Sequence, residues 1–306
     1  MKYNSKFIQD LMARYSYPEE AVALFTKVLD EIDSDPALAE QFDKYLSLFS
    51  SHQIRIDDDM LNVLKELAEA RGYSEYTFYF VFLLLLTEDL YNDYNLIGID
   101  EKIYYDTMDD LRCKLLECIE CEYVPGTFVP HWFNGFFRLE RFAYGRFQYE
   151  ISSYGEDEDF VMKCGHVVKK DDIYINFHIP SSGVSLNDEV RLASYKEAYK
   201  HVKGLFPDGN VLFGCGSWLL FEKHREFLPA GMNILKFMDD FELVHSHEKE
   251  NFSDDWRIFG HYSELPIDQL PRDTKLRKAY AEWVCAGHKT GSGFGLFLFD
   301  GEKIVR

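Results

Sequence analysis

No apolar segment of this 306-residue sequence is long enough to cross a bilayer, and positive charge is scarce. The longest uninterrupted apolar run, Phe78 to Leu86, has nine residues, where a membrane helix needs about 20. It is expected to be the middle of a buried helix instead. The opening stretch, MKYNSKFIQDLMARY, lacks the continuous apolar core of a secretion signal, so the expected location is the cytoplasm. Lys and Arg number 33 against 53 Asp and Glu, a formal net charge of -20. A surface of that sign repels phosphate backbones and anionic lipid, which argues against nucleic-acid partners and membrane association. The excess is uneven. Residues 1–128 hold 26 acidic and 11 basic side chains, so an anionic cofactor is better placed in the back half.

Zinc knuckles and phosphate loops are missing too. Cys113, Cys118 and Cys121 share one helical stretch with a single CxxC and no second half, whereas zinc needs four ligands, usually from two such knuckles. Small buried residues are the simpler reading, and no metal is expected. With Cys164, Cys215 and Cys285 they are expected to be free thiols of a reducing compartment. No GxxxxGK[ST] loop, internal repeat or low-complexity tract occurs. Lys289-Thr290-Gly291-Ser292-Gly293-Phe294-Gly295 is rich in glycine but lies between a helix and a strand. Phosphate loops use the dipole of a following helix, so a tight connection is expected here.

Aromatic residues, by contrast, make up 16% of the chain, which implies a bulky core and aromatic pocket walls. Their pattern divides the chain near residue 128. Before it, helix starts are signalled at Ser16 to Glu20, Asp35-Pro36, Asp57 to Asp59 and Ser74, followed by apolar residues at helical spacing. The segment from Ser74 to about Tyr91 is apolar all round, as the centre of a helical bundle would be. A further helix is expected from about Glu101 to Cys121, stopped by Val124-Pro125-Gly126. After 128 the period shortens. Strands are expected at Phe133 to Phe142 and Arg146 to Ser152, hinged at Tyr144-Gly145, and at Val161 to Val168 paired with Ile173 to Ile179. A helix from about Asp188 to Leu205, a strand at Val211 to Gly214 and a helix from Trp218 to Phe227 follow. Strands at Phe241 to His245 and Trp256 to Phe259, a helix from Thr274 to Ala286 and a closing hairpin complete the chain. The reading is α+β: a helical domain, 1–128, then a mixed-sheet domain, 129–306.

Two segments of the back half invite chemistry. His178-Ile179-Pro180-Ser181-Ser182-Gly183-Val184-Ser185 joins a strand to a helix. Small residues there permit close backbone approach, and a helix N-terminus attracts anions. A capped turn would look the same. Gly214-Cys215-Gly216 could expose a nucleophilic cysteine, with His178 at the end of the neighbouring strand as its base, as in a cysteine hydrolase. A small residue where strand meets helix is the plainer account of Cys215.

Several segments taken in order carry a resemblance: Gly145-Arg146-Phe147-Gln148-Tyr149-Glu150, His178 to Gly183, Cys215-Gly216-Ser217-Trp218-Leu219-Leu220, Asn233-Ile234-Leu235, Leu270-Pro271 with Thr274 and Leu276, and Gly291, Gly293 and Gly295. Together, from about Gly145 to Gly295, they resemble the bacterial acyltransferase domain-containing proteins, built from an N-acyltransferase N-terminal domain and a GNAT-like C-terminal domain. The resemblance implies a GNAT-like mixed sheet in which two strands splay around the pantetheine of an acyl-CoA co-substrate. It implies that Ser181, Ser182, Gly183, Val184 and Ser185 form the pyrophosphate loop. It also implies transfer of the acyl group to an amine or alcohol, with His178 or Glu150 as base and Cys215 as acid. The loop reads Pro-Ser-Ser-Gly-Val-Ser where the family pattern begins with a basic or amide residue. A degenerate, non-catalytic GNAT-like protein that binds a ligand or partner is therefore the alternative.

Overall fold

Side-chain caps decide where most helices of the front half begin. The structure, a computed structural model, describes residues 3–306. Asn4 accepts from the Phe7 N–H at the head of α1 (Ser5–Arg14). The next helix, α2 (Glu19–Ser34), starts after Pro18 with Glu19 and Glu20 in its first turn and no side-chain cap. Ser16, the expected cap, lies upstream in the left-handed region at φ 52°. Asp35 accepts from the N–H groups of Ala37 and Leu38 to start α3 (Pro36–Ser50). Asp57 does so from Met60 for α4 (Asp58–Glu69), Ser74 from Tyr76 for α5 (Glu75–Ile97), and Asp100 from Lys102 for α6 (Glu101–Glu122). Each such cap satisfies donors that the helix itself leaves open.

Helix α5 is the axis of this unit. Phe78, Phe80, Val81, Phe82, Leu83 and Leu84 are all buried, and the helix packs against α1, α2, α3, α4 and α6. It runs on past Tyr91, the expected end, to Ile97, where Gly98 adopts φ 75° and stops it. No helix among the described residues is long and apolar enough to cross a membrane. The expected strand from Phe133 is absent. Pro130–Phe133 is a 3-10 turn and α7 (Asn134–Phe137) a single helical turn. Phe133, Phe136 and Phe137 bury their rings in the helical core. The helical unit consequently extends to Phe142, and the second unit begins at Ala143, not at 129.

The second unit follows the order β1 (Arg141–Tyr144), β2 (Phe147–Ser153), β3 (Phe160–Val161), β4 (Val167–Val168), β5 (Ile173–His178), α8 (Asp188–Val202), β6 (Val211–Ser217), α9 (His224–Phe227), α10 (Asn233–Met238), β7 (Glu242–Glu248), α11 (Trp256–Phe259), α12 (Lys275–Cys285), β8 (Gly291–Phe299) and β9 (Ile304–Val305). One sheet runs β1-β2-β5-β6-β8-β7 with β9 beside β8. Among the pairings described from β2 to β9, β5–β6 is the parallel one, its strands joined by the crossover through α8. One face carries Phe147, Tyr149, Ile175, Phe177, Phe213 and Phe297 in a common core with Tyr195 of α8. The other carries a smaller cluster that includes Tyr174, Leu212, Leu296 and Leu298.

Four local expectations change. The short strands β3 and β4 pair only with each other, and β5 joins β2 instead. Trp256–Phe259 is a helical turn started by the Asp255 side chain, not a strand. The expected helix from Trp218 breaks at Phe221, which is extended, leaving a 3-10 turn and α9. The glycine-rich run is not a connection but the first half of β8. A Cβ at Gly291 would lie 2.2 Å from the His247 carbonyl oxygen, and one at Gly293 2.3 Å from that of Leu220. Bare backbone at these positions lets β7 and the turn after β6 close onto β8.

Two predictions follow from the packing. Gly293→Ala forces backbone apart and should destabilise the protein by about 2–3 kcal/mol, read as a lowered Tm. His224, fully buried and hydrogen-bonded to the Tyr280 hydroxyl, has its pKa lowered by that burial from 6.5 to about 4. The unfolded ring takes up a proton below pH 6.5 while the folded one resists until about pH 4. Its stabilisation is therefore full above pH 6.5 and is lost as pH falls toward 4, by about 3 kcal/mol. Urea melts across that range should show a shallower pH slope for His224→Gln than for the wild type.

Candidate functional site

The site begins where β5 and β6 part. Their parallel ladder consists of Ile175 opposite Phe213 and Asn176 opposite Gly214. Both strands continue. β5 stays paired with β2 as far as His178 opposite Gln148, and β6 with β8 as far as Ser217 opposite Gly293. Each strand keeps its outer partner while the inner ladder ends, so a V opens between Phe177 and Cys215. Gly214 and Gly216 bring no side chain to it. A Cβ at Gly214 would strike the Tyr174 ring at 2.6 Å, whereas one at Gly216 would meet only Phe294, at 3.9 Å.

Strand alternation sorts side chains beside this V. Gln148 and Glu150 of β2 share a face with Asn176 and His178 of β5. Tyr149 and Phe177 point into the aromatic core behind. His178 Nε2 lies 2.8 Å from Glu150 Oε1, and Asn176 Nδ2 donates to the same oxygen at 3.1 Å. Both side chains of the His–Glu pair are about three-quarters buried, with 25% and 22% exposure. A carboxylate only accepts, so Nε2 carries the proton and the neutral ring has its lone pair on Nδ1. Glu150 thus fixes the orientation of the His178 ring. The structure brings the two expected bases, His178 and Glu150, together as one hydrogen-bonded pair.

Cys215 does not join them. It lies on the opposite face, 1% exposed among Phe213, Phe177 and Phe297. Burial pushes its thiol well above the ordinary range. A thiol so placed meets no substrate, and the Cys215–His178 pair of a hydrolase is not formed. The physical reason is the two-residue period. Gly214 and Gly216 occupy the site face, so the residue between them must face the core.

The expected loop leads from β5 to α8. Arg146, at the turn before β2, spans it by donating from Nη1 to the Pro180 carbonyl at 2.8 Å and from Nε to that of Val184 at 3.0 Å. Gly183 takes φ 76°, a conformation open to glycine at no steric cost. Ser182 accepts from the Val184 N–H at 3.4 Å, and Ser185 accepts from the Asn187 N–H and the Asn233 amide. Asn187, not Ser185, caps α8 through Val190. The N–H groups of Asp188 and Glu189 are among the donors that a helix start leaves open. These two carboxylates in the first turn favour the helix dipole but oppose a bound phosphate. Ser181, Ser182, Gly183, Val184 and Ser185 lie in the loop between β5, which ends at His178, and the start of α8.

Arg146, Gln148 and Asn176 were not singled out from sequence for a role of their own. The signal was there as Gln148-x-Glu150 and Asn176-x-His178, polar residues at alternate positions in otherwise apolar strands. Among the described residues no group of three or more His, Cys, Asp or Glu side chains is arranged to hold a metal.

Family models match both units: the N-acyltransferase N-terminal domain over residues 6–139 and the GNAT-like C-terminal domain over 141–297. No curated protein sequence matches the chain. Solved structures share its fold. One is an acyltransferase mutant in complex with octanoyl-CoA, 18% identical with a TM-score of 0.75, covering 99% of this chain and 90% of that one. A second is an acyltransferase in complex with decanoyl-CoA, 19% identical with a TM-score of 0.72 over 96% and 88%. A third holds decanoyl-CoA and teicoplanin, at 17% identity and a TM-score of 0.62 over 94% and 98%.

The burial of Cys215 has a direct readout. In the native protein it should resist an aromatic disulfide reagent while exposed Cys285 reacts, and both should react in denaturant. Cys215 labelling at the rate of Cys285 would contradict its placement.

Proposed function

The chain belongs to the acyltransferases built from an N-acyltransferase N-terminal domain and a GNAT-like C-terminal domain, and on that premise we propose that it moves an acyl group from acyl-CoA to an amine or alcohol, the family description favouring the amine. The observation that carries this reading is the His178–Glu150 pair at the mouth of the V between β5 and β6, one loop away from the start of α8. In the proposed mode the pyrophosphate lies along Ser181 to Ser185 and pantetheine lies in the V, with its thioester beside His178. Solved structures of this fold hold octanoyl-CoA or decanoyl-CoA, which supports a medium-chain acyl donor.

The chemistry then needs little else. The acceptor nitrogen attacks the thioester carbon while His178 takes its proton, and Glu150 steadies the imidazolium that results. Backbone N–H groups freed where the strands part are the donors for the oxyanion. The carbon–sulfur bond breaks, and the leaving thiolate of coenzyme A receives the proton from His178. A cytoplasmic location belongs to the same proposal, since acyl-CoA is made inside cells and the six cysteines are free.

A second reading, a GNAT-like protein that binds without catalysis, is favoured by one feature: Asp188 and Glu189 stand at the very helix start where a pyrophosphate would lie. Thermal unfolding with octanoyl-CoA separates the readings. A ligand at a hundredfold excess over its Kd stabilises the native state by about 2.7 kcal/mol. The shift should be present in the wild type and lost in Gly183→Val, where a β-branched residue cannot hold φ 76°. His178→Ala should keep the shift but transfer acyl groups about 10²–10⁴-fold more slowly. An unchanged rate in His178→Ala would remove the base, and no shift with any acyl-CoA would remove the cofactor.

A further inference from the structure

Gln148 sits directly across from His178 in the β2–β5 ladder. Its side chain shares the face that carries the His178–Glu150 pair, and it is only 3% exposed. Its amide oxygen is fully buried and has no hydrogen-bond partner in the protein. Buried carboxamides almost always find partners, so an orphaned acceptor beside a catalytic base has a bound molecule as its natural partner. Glu150, two residues along the same strand face, shows the contrast, since its carboxylate is already engaged by His178 and Asn176.

We propose that Gln148 orients the acyl acceptor, its amide oxygen taking one N–H of the attacking amine while His178 takes the other. The inference rests on the acyl-transfer reading and adds to it a residue and a selectivity. The lateral order of the sheet supplies the direction. The thioester comes from the V on the β6 side of His178, and Gln148 lies on the β2 side. Directly opposed residues in an antiparallel pair have Cβ atoms about 5 Å apart, within reach of one small group between them. A neutral primary amine matches this arrangement: its lone pair attacks, one N–H goes to His178 and the second goes to Gln148. An alcohol has a single O–H, which the base claims, so the Gln148 oxygen would stay buried and unpaired. The site therefore selects amines over alcohols at the step of acceptor binding.

The test measures release of free coenzyme A from octanoyl-CoA with two matched pairs of probes, tyramine against tyrosol and glycinamide against glycolamide. Wild type should prefer the amine of at least one pair. Gln148→Met keeps the side-chain length and removes the amide. It should raise the amine KM about tenfold or more and narrow the preference, with the octanoyl-CoA thermal shift unchanged. Gln148→Glu retains an accepting oxygen and should restore much of the preference. A wild type that favours neither amine, or a Gln148→Met variant with normal selectivity, overturns the proposal. So does a Gln148→Met defect that falls on octanoyl-CoA binding alone. A wild type that shows no thermal shift with octanoyl-CoA fails earlier, at the acyl-transfer reading, and that outcome is distinct because it needs no variant.

Discussion

The second unit depends on the ending of one ladder. β5 and β6 are parallel neighbours for only two residue pairs, Ile175–Phe213 and Asn176–Gly214, and then separate. Inner-edge backbone groups that lose a partner would be costly if buried without replacement. The strands tolerate the opening because each is held from outside, β5 by six pairs to β2 and β6 by seven to β8. β8 is itself clamped, since its glycines allow β7 and the turn after β6 to approach at backbone distance. A gap in the middle of a sheet is thus sustained by rigidity at its flanks.

That rigidity also places the chemistry. Phe177 and Tyr149 are anchored in an aromatic core with Tyr195, Phe213 and Phe297. Their neighbours along the strands, His178 and Glu150, are consequently presented on the other face in a fixed relation. Groups built on strands hold their geometry better than groups on loops. The same alternation that brings His178 and Asn176 to one oxygen of Glu150 turns Cys215 inward. A cysteine between two glycines looks exposed in a sequence, yet its surroundings here are aromatic and its thiol stays protonated.

The loop after β5 is held differently. Its carbonyls at Pro180 and Val184 are taken by Arg146, and its Ser182 and Ser185 hydroxyls accept from the Val184 and Asn187 N–H groups ahead of α8. The guanidinium works as a structural staple across the strand–helix connection. Asp188 and Glu189 stand in the first turn of the helix, and Asp188 is ion-paired to Arg191 at 3.2 Å.

Much of the architecture was legible in residues alone. Asp35, Asp57 and Ser74 marked helix starts because a capping side chain acts on its own backbone two or three residues away, and the apolar surround of α5 announced a buried axis. The ordered segments from Gly145 to Gly295 pointed to the family. What failed was non-local. Phe133 to Phe137 look like a strand by composition, but burial in the helical core makes them helical. The glycine run looks like a connection, but close approach of β7 and the turn after β6 makes it a strand. Local hydrogen bonds and periodicity are written in sequence because their partners are near in the chain. Which face a residue occupies, and whether Glu150 meets His178 while Cys215 does not, is decided by the register between strands distant in sequence, and only the tertiary structure contains it.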